Sequence, residues 1–163
     1  RPAFIVHRLD RAASGLILIG HTKTATRALG KMFEARRLRK IYQVVVEGKF
    51  PHLEEALSIS SPIDGKSAQS YARALAYDST SDCSLVEIKI DSGRKHQIRR
   101  HMAESGYPVM GDRLHGRGAH QTQDLQLSAH DLSFTCPVSN TPKHYQLPAA
   151  LSLKLPQATI KVP

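Results

Sequence analysis

The sequence predicts an α+β fold: a mixed, largely antiparallel central β-sheet with a few flanking helices. Three observations carry this expectation. Runs of period-two or β-branched character outnumber runs of helical period, the two kinds do not alternate in a regular β-α-β rhythm, and turn signals separate the strand-like runs. At 163 residues, 40% hydrophobic and 23% charged, the chain has the length and composition of one domain with a buried core.

The elements follow in order. The run from Gly15 to Gly20, aliphatic at Leu16-Ile17-Leu18-Ile19 and bounded by glycines, predicts a short buried strand. Thr22 then caps a helix extending to about Arg37, because Ala25, Leu29, Met32 and Phe33 fall on one apolar stripe and the basic residues lie largely off it. Arg39 to Glu47 is β-branched and predicts a strand closed by Gly48. Pro51 to Pro62 is less regular, and Asp64-Gly65 signals a turn. Ser67 to Tyr77 alternates small and polar residues, as in a half-exposed strand. Val86, Ile88 and Ile90 alternate with Glu87, Lys89 and Asp91, which predicts a strand with one face in the core. After Ser92-Gly93, His96 to Glu104 reads as a short helix ending at Gly106. Gly111 to Gly118 is a glycine-punctuated loop, Leu125 to Phe134 a late strand, and Tyr145 to Leu147 a further strand. No internal repeat, low-complexity tract or linker interrupts the chain, so 1–163 is expected to be a single domain.

Charge is the strongest compositional signal. Lys plus Arg number 23 against 14 Asp plus Glu, a net charge of +9 that suggests a polyanionic partner, nucleic acid before an anionic membrane surface. The cations are clustered. One group runs through Arg27, Lys31, Arg36, Arg37, Arg39 and Lys40 against the single acid Glu34; a second comprises Arg94, Lys95, His96, Arg99, Arg100 and His101. The longest aliphatic run is four residues, too short to span a bilayer. The chain opens Arg1-Pro2-Ala3 without a signal-peptide pattern, and Cys83 and Cys136 form no CxxC pair. Two reduced thiols and a cytoplasmic location are therefore expected.

Several chemistries lack their motifs. Gly65-Lys66-Ser67 ends like a phosphate loop, but Ser60 stands where its first glycine belongs; GxGxxG, GxSxG and HExxH do not occur. His96 and His101 are five apart, off the spacing that puts two ligands on one helix face, and are expected as part of a basic surface. No metal, cofactor or nucleotide cofactor is expected. The stretch Arg94 to His101 places cations at a helix start, where an anion would meet backbone N–H groups and guanidinium forks together. Arg99 follows the apolar Ile98, so it points partly inward and needs a carboxylate partner. Asp10, between Arg8 and Arg11, is the natural candidate: its cationic flanks favour the carboxylate, which suits a nucleophile or base as well as a local salt bridge.

These residues converge on a resemblance. His7-Arg8-Leu9-Asp10-Arg11-Ala12-Ala13-Ser14-Gly15-Leu16 resembles the signature around the catalytic aspartate of RluA-type RNA pseudouridine synthases. Lys40-Ile41-Tyr42 with Val46-Glu47-Gly48, and Gly93-Arg94-Lys95-His96-Gln97-Ile98-Arg99, are similar to the family's next two motifs. Pro108-Val109-Met110-Gly111-Asp112, and Leu125-Gln126-Leu127 through Phe134 and Pro137, are similar to its later blocks, so the resemblance spans Pro2 to about Pro142. It implies the pseudouridine synthase catalytic fold and an isomerase acting on uridines of ribosomal or transfer RNA, with no cofactor. It further implies Asp10 as the attacking carboxylate and Tyr42 as the side chain that packs on the flipped uracil and helps to remove the C5 proton. Arg99 would pair with Asp10, Leu127 would line the uracil pocket, and Arg8 would contact RNA near the displaced base. Lys40, Arg94, His96 and Gln97 are expected to contact RNA.

The pattern has departures. Ala13 stands where the family usually has threonine, Ser128 where histidine is common, and His115 where tyrosine often follows the Gly-Asp pair. Family members carry strands and a Lys-Pro segment upstream of HRLD, whereas this chain starts almost at HRLD, so an N-terminally incomplete catalytic domain is expected, with no S4-like domain visible. An open sheet edge at this end is expected to follow. Two other readings stand beside the isomerase: a catalytically incomplete RNA-binding fragment, and a metal-dependent nuclease built on Asp10, Asp91 and Asp112.

Overall fold

A computed structural model describes residues 1–52, 54–117, 123–156 and 160–161. Its central strand is β4 (Leu38–Glu47), whose β-branched run Val44-Val45-Val46 is buried and paired on both sides. On one side lies β7 (Cys83–Ile90), followed by β6 (Ser70–Asp78), with β5 (Leu57–Ile59) and β10 (Ile160–Lys161) both paired to β6. On the other side lies β8 (Leu127–Thr135), which pairs with β9 (Pro142–Gln146) and with the two-residue β2 (Ser14–Gly15). Every pair is antiparallel except β2–β8. The mixed, largely antiparallel sheet is thus as the sequence predicts.

Val86, Ile88 and Ile90 of β7 are buried as their alternation requires, and they meet Val44, Val46, Ala72 and Ala74 on one sheet face. Helix α2 (Gln97–Glu104) closes that face by inserting Ile98 and Met102. Each such side chain contributes about 2 kcal/mol by leaving water. Helix α1 (Lys23–Glu34) begins where Thr22 predicts, the Thr22 hydroxyl oxygen accepting the Ala25 N–H at 3.1 Å. It stops three residues before Arg37. Arg36 turns left-handed at φ 55°, and the N–H groups of Arg36 and Arg37 bond back to Phe33 and Met32 in a Schellman closure. Nothing in an arginine announces that conformation, which glycine normally occupies.

The run from Gly15 to Gly20 corrects the sequence reading. It is not one buried strand. Its first residue belongs to β2 in the main sheet, while Ile19–Gly20 forms β3 and pairs with β1 (Phe4–Ile5) in a separate two-stranded ribbon. Between them, the Leu16 N–H is spent on the Ala129 carbonyl and the Leu18 N–H on His7 Nε2, so no single ladder forms. Ile17 and Ile19 remain about half exposed, at 50% and 46%. Among the described residues, the outer edges of β1 and β2 carry no further strand.

Smaller differences concern boundaries. β6 starts at Ser70 rather than Ser67, β8 at Leu127 rather than Leu125, and β9 covers Pro142–Gln146 rather than 145–147. Asp64 and Gly65 form the expected turn between Ile63 and Lys66. Gly118, the predicted end of the glycine-punctuated loop, lies outside the described residues. Cys83 and Cys136 are free thiols. Among the described residues no helix is long and apolar enough to cross a membrane.

Candidate active site

A cleft of about 570 Å³, within the usual ~300–1,000 Å³ of small-molecule sites, opens where the Asp10 turn, β4, β8 and the start of α2 meet. Of the residues singled out in the sequence, Arg8, Asp10, Lys40, Tyr42, Arg94, Gln97 and Leu127 all line it; Arg99 and His96 do not.

Asp10 opens a tight turn. The Ala13 N–H donates to the Asp10 carbonyl at 2.9 Å, and Ala12 adopts φ 72°. That geometry normally selects glycine or asparagine, so the turn carrying Asp10 holds local backbone strain of about 1–2 kcal/mol. The turn leads directly into β2, where Gly15 (φ +110°) lies so close to β8 that a Cβ would sit 2.2 Å from the Ala129 carbonyl oxygen. Asp10 is therefore fastened to the strand that supplies Leu127.

Tyr42 reaches the same place from the central strand. The β4–β8 register slips between Ile41 and Tyr42, moving from Ile41↔Asp131 to Tyr42↔Ala129. Such bulges re-aim side chains. Burial, and secondarily the Asp10 charge, push the Tyr42 phenol up to about 12, so it is neutral at physiological pH.

Beneath Asp10 lies Arg99, 5% exposed. The expected ion pair with Asp10 is present but long, and Asp112 is the closer partner. Asp112 accepts two hydrogen bonds from Arg99, 3.0 Å from Nε and 2.6 Å from Nη2, whereas Asp10 stands at 3.9 Å from Nη1. Burial alone would raise the Asp112 carboxyl, but the bonds from Arg99 and the backbone N–H groups of His115 and Leu114 outweigh it and hold it below the usual carboxylate range. A bidentate pair with Asp112 satisfies the buried guanidinium and leaves Asp10 about a quarter exposed, at 27%, facing the cleft.

The start of α2 is built by side chains rather than arranged to receive an anion. His96 sits at the cap in a left-handed conformation (φ 54°) with no capping bond. The Gln97 amide is fully occupied: its oxygen accepts from Ser92 Oγ and the Arg94 N–H, and its nitrogen donates to the Gln69 carbonyl and Ser70 Oγ. The chain continues inward. His101 Nε2 faces the Ser61 carbonyl and must donate, so Nδ1 accepts from the Ser70 hydroxyl. His101, fully buried, is thus part of the scaffold under Arg99, not of the basic surface where the sequence reading put it. Arg94 Nε donates to the Ser67 carbonyl at 2.9 Å, and His96 pairs with His115 at 3.0 Å outside the cleft.

Two participants carry no sequence signal for these roles. Asp112 was visible as part of a Gly-Asp pair, yet its contact with Arg99 spans a loop and has no periodic signature. His7 stacks on Phe33 at 4.4 Å and accepts the Leu18 N–H, tying the Asp10 segment to α1. Burial, then the nearby Lys40, hold its imidazole below the ordinary value, so it stays neutral in this role. Among the described residues no three His, Cys, Asp or Glu side chains converge as metal ligands. Asp91 accepts from the Tyr71 hydroxyl and Asp112 is held by Arg99, so the nuclease alternative lacks its trio.

Comparison with known proteins points one way. Residues 1–104 match the family profile described as RNA pseudouridylate synthase. An uncharacterized RNA pseudouridine synthase of Chloroflexus aurantiacus is 39% identical over 93% of this chain and 51% of its own length. The dual-specificity RNA pseudouridine synthase RluA of Yersinia pestis is 33% identical over 88% of this chain and 77% of its own. The tRNA pseudouridine synthase C of Pectobacterium carotovorum is 32% identical over 85% and 45%. The chain therefore spans about half the length of several curated relatives. Human RNA pseudouridylate synthase domain containing 1 shares the fold, with a TM-score of 0.79 at 24% identity over 90% of this chain and 69% of that one.

Proposed function

Since this chain belongs to the RNA pseudouridylate synthase family, in its RluA-type branch, we propose that it isomerises uridines of ribosomal or transfer RNA to pseudouridine, with Asp10 as the nucleophile. The observation that carries this reading is Asp10 itself, a carboxylate fixed on a strained turn and facing a cleft shared with Tyr42 and Leu127. A relative named for transfer RNA supports that substrate class, and one named for dual specificity supports more than one kind of RNA target.

The reaction breaks the N1–C1′ bond, joins C5 to C1′, removes the C5 proton and returns a proton to N1. Its atoms balance within the nucleotide, and neither oxidant nor hydrolytic water is consumed. The target uridine leaves its stack at a cost of a few kcal/mol and enters the cleft between Tyr42 and Leu127. Whether attack falls on C1′ or on the base, it requires an ionised carboxylate held in place, and Arg99, itself fixed by Asp112, directs its Nη1 toward Asp10.

Tyr42 fits two tasks in sequence. A neutral phenol pushed up to about 12 packs on the base but is a weak proton acceptor while Asp10 is ionised. Once Asp10 is bonded to the substrate its charge is gone, and one of the two causes holding the phenol up goes with it. Tyr42 then gives up its phenolic proton more readily, and it takes the C5 proton as it passes its own toward N1, which ends the reaction protonated. Arg8, exposed at the rim, is the side chain to occupy the space that the flipped base leaves. Gln97, with its amide saturated inside the protein, acts by fixing the Arg94 backbone rather than by contacting RNA.

The test is nucleoside analysis of unmodified transfer and ribosomal RNA transcripts after incubation with the chain. The expected result is a loss of uridine matched by an equal gain of its carbon-linked isomer of identical mass. Salt-sensitive binding with no conversion of any transcript would instead favour the incomplete binding fragment.

A further inference from the structure

Asp10 is not the only charge on the cleft. Arg36, Lys40 and Arg94 line the same opening, against one other carboxylate, Glu34. Lys40 is half-buried at the start of β4 and, among the described residues, its ammonium makes no hydrogen bond or ion pair. It lies over Gly93, where a Cβ would come within 3.2 Å of Nζ, so the missing side chain leaves its approach to the cleft open. Arg36 holds its left-handed conformation at the end of α1 beside it. Burial, then the Arg36 charge, lower the Lys40 ammonium below its ordinary value. Two neighbouring cations, one partly desolvated and neither neutralised, disfavour the free protein and favour an anion between them. Arg94 is the third cation on this lining, its Nε already held by the Ser67 carbonyl and its remaining N–H groups available at the rim.

We propose that Lys40 and Arg36, with Arg94 at the rim, form a phosphodiester subsite that grips the RNA backbone beside the nucleotide whose base enters the Asp10 cleft. This rests on the functional reading above and adds to it a source of discrimination: a free uracil or uridine lacks the group that the subsite binds. The subsite also makes the free protein carry an unfavourable charge that a bound phosphate group relieves.

The test is the salt dependence of binding to an unmodified transfer RNA transcript, measured by fluorescence anisotropy for the parent, Lys40→Met, Arg36→Met and Lys49→Met. Lys49 follows the far end of β4, over the Tyr77 ring, and serves as the matched loss of one charge away from the cleft. Lys40→Met and Arg36→Met are each expected to flatten the slope of log K against log salt by about 0.7 and to weaken binding about tenfold at fixed salt, with Lys49→Met changing neither comparably. The melting temperature of Lys40→Met is expected to equal or exceed the parent's, because an unpaired charge has been removed. A Lys40→Met slope parallel to the parent's, or a lower melting temperature with an unchanged slope, would overturn the subsite. A parent that converts uridine while Lys40→Met binds with an unchanged slope overturns the subsite alone; a parent that neither binds nor converts RNA overturns both readings.

Discussion

Asp10 and Asp112 approach the same guanidinium, but their removal leaves different things behind. Asp112→Asn strips a buried Arg99 of its bidentate carboxylate, leaving one neutral amide oxygen and Asp10 at 3.9 Å. A loss of about 3–5 kcal/mol is expected, read by urea denaturation. Asp10→Asn removes a carboxylate that faces solvent and leaves the Arg99–Asp112 pair intact, so stability should stay within about 1 kcal/mol while activity is abolished. If Asp10→Asn proved the more destabilising of the two, Asp10 would be a structural partner and not a poised nucleophile. Tyr42→Phe separates packing from proton transfer: RNA binding should persist while the rate falls by about 10²–10⁴, as for loss of a general base. A variant as fast as the parent would confine Tyr42 to stacking.

The elements were legible in the sequence where one physical cause acts alone. Val86, Ile88 and Ile90 announce β7 because one face meets the core and the other does not. The start of α1 is equally plain, since Thr22 caps it directly. Its end was not, because Arg36 adopts a glycine-like conformation without a glycine. The aliphatic run after Gly15 misled because hydrophobicity implied burial, whereas its backbone is tied to His7 in the Asp10 segment and to Ala129 on β8. The convergence of Asp10, Tyr42 and Leu127 depends on register, with Tyr42 opposite Ala129 and Gly15 beside it, and no local pattern encodes that. The resemblance named these residues; it did not show that Asp112 rather than Asp10 is the close partner of Arg99. The β2–β8 contact is also the weak point of the design. Gly15→Ala would drive a Cβ to 2.2 Å from the Ala129 carbonyl oxygen in a backbone conformation that alanine resists. A destabilisation of about 2–4 kcal/mol is expected from calorimetry, with activity lost because the Asp10 turn must move. An unchanged melting temperature would mean that β2 is not a fixed part of the sheet.

For the whole molecule, charge sets both binding and pH response. His7, His96 and His115 are all held below the ordinary imidazole value, burial being the largest cause in each. Below about pH 6.5 the unfolded chain therefore takes up more protons than the folded one. Their contribution to stability is fully present above that value and is lost as the pH falls toward their lower folded values. The melting temperature should drop between pH 7.5 and 5.5, and less steeply in His96→Gln/His115→Gln; a flat profile in the parent would contradict the burial of these rings. The net charge of +9 predicts RNA binding that weakens steeply with salt, but binding does not separate an isomerase from a passive binder. Release of the C5 proton does. The decisive measurement is tritium release from RNA labelled at uridine C5, with EDTA present, for the parent and Asp10→Asn. Release by the parent and none by the variant is the predicted result. Equal release by both, or none by a parent that still binds the RNA, would contradict the assignment of Asp10 as the group that drives the isomerisation.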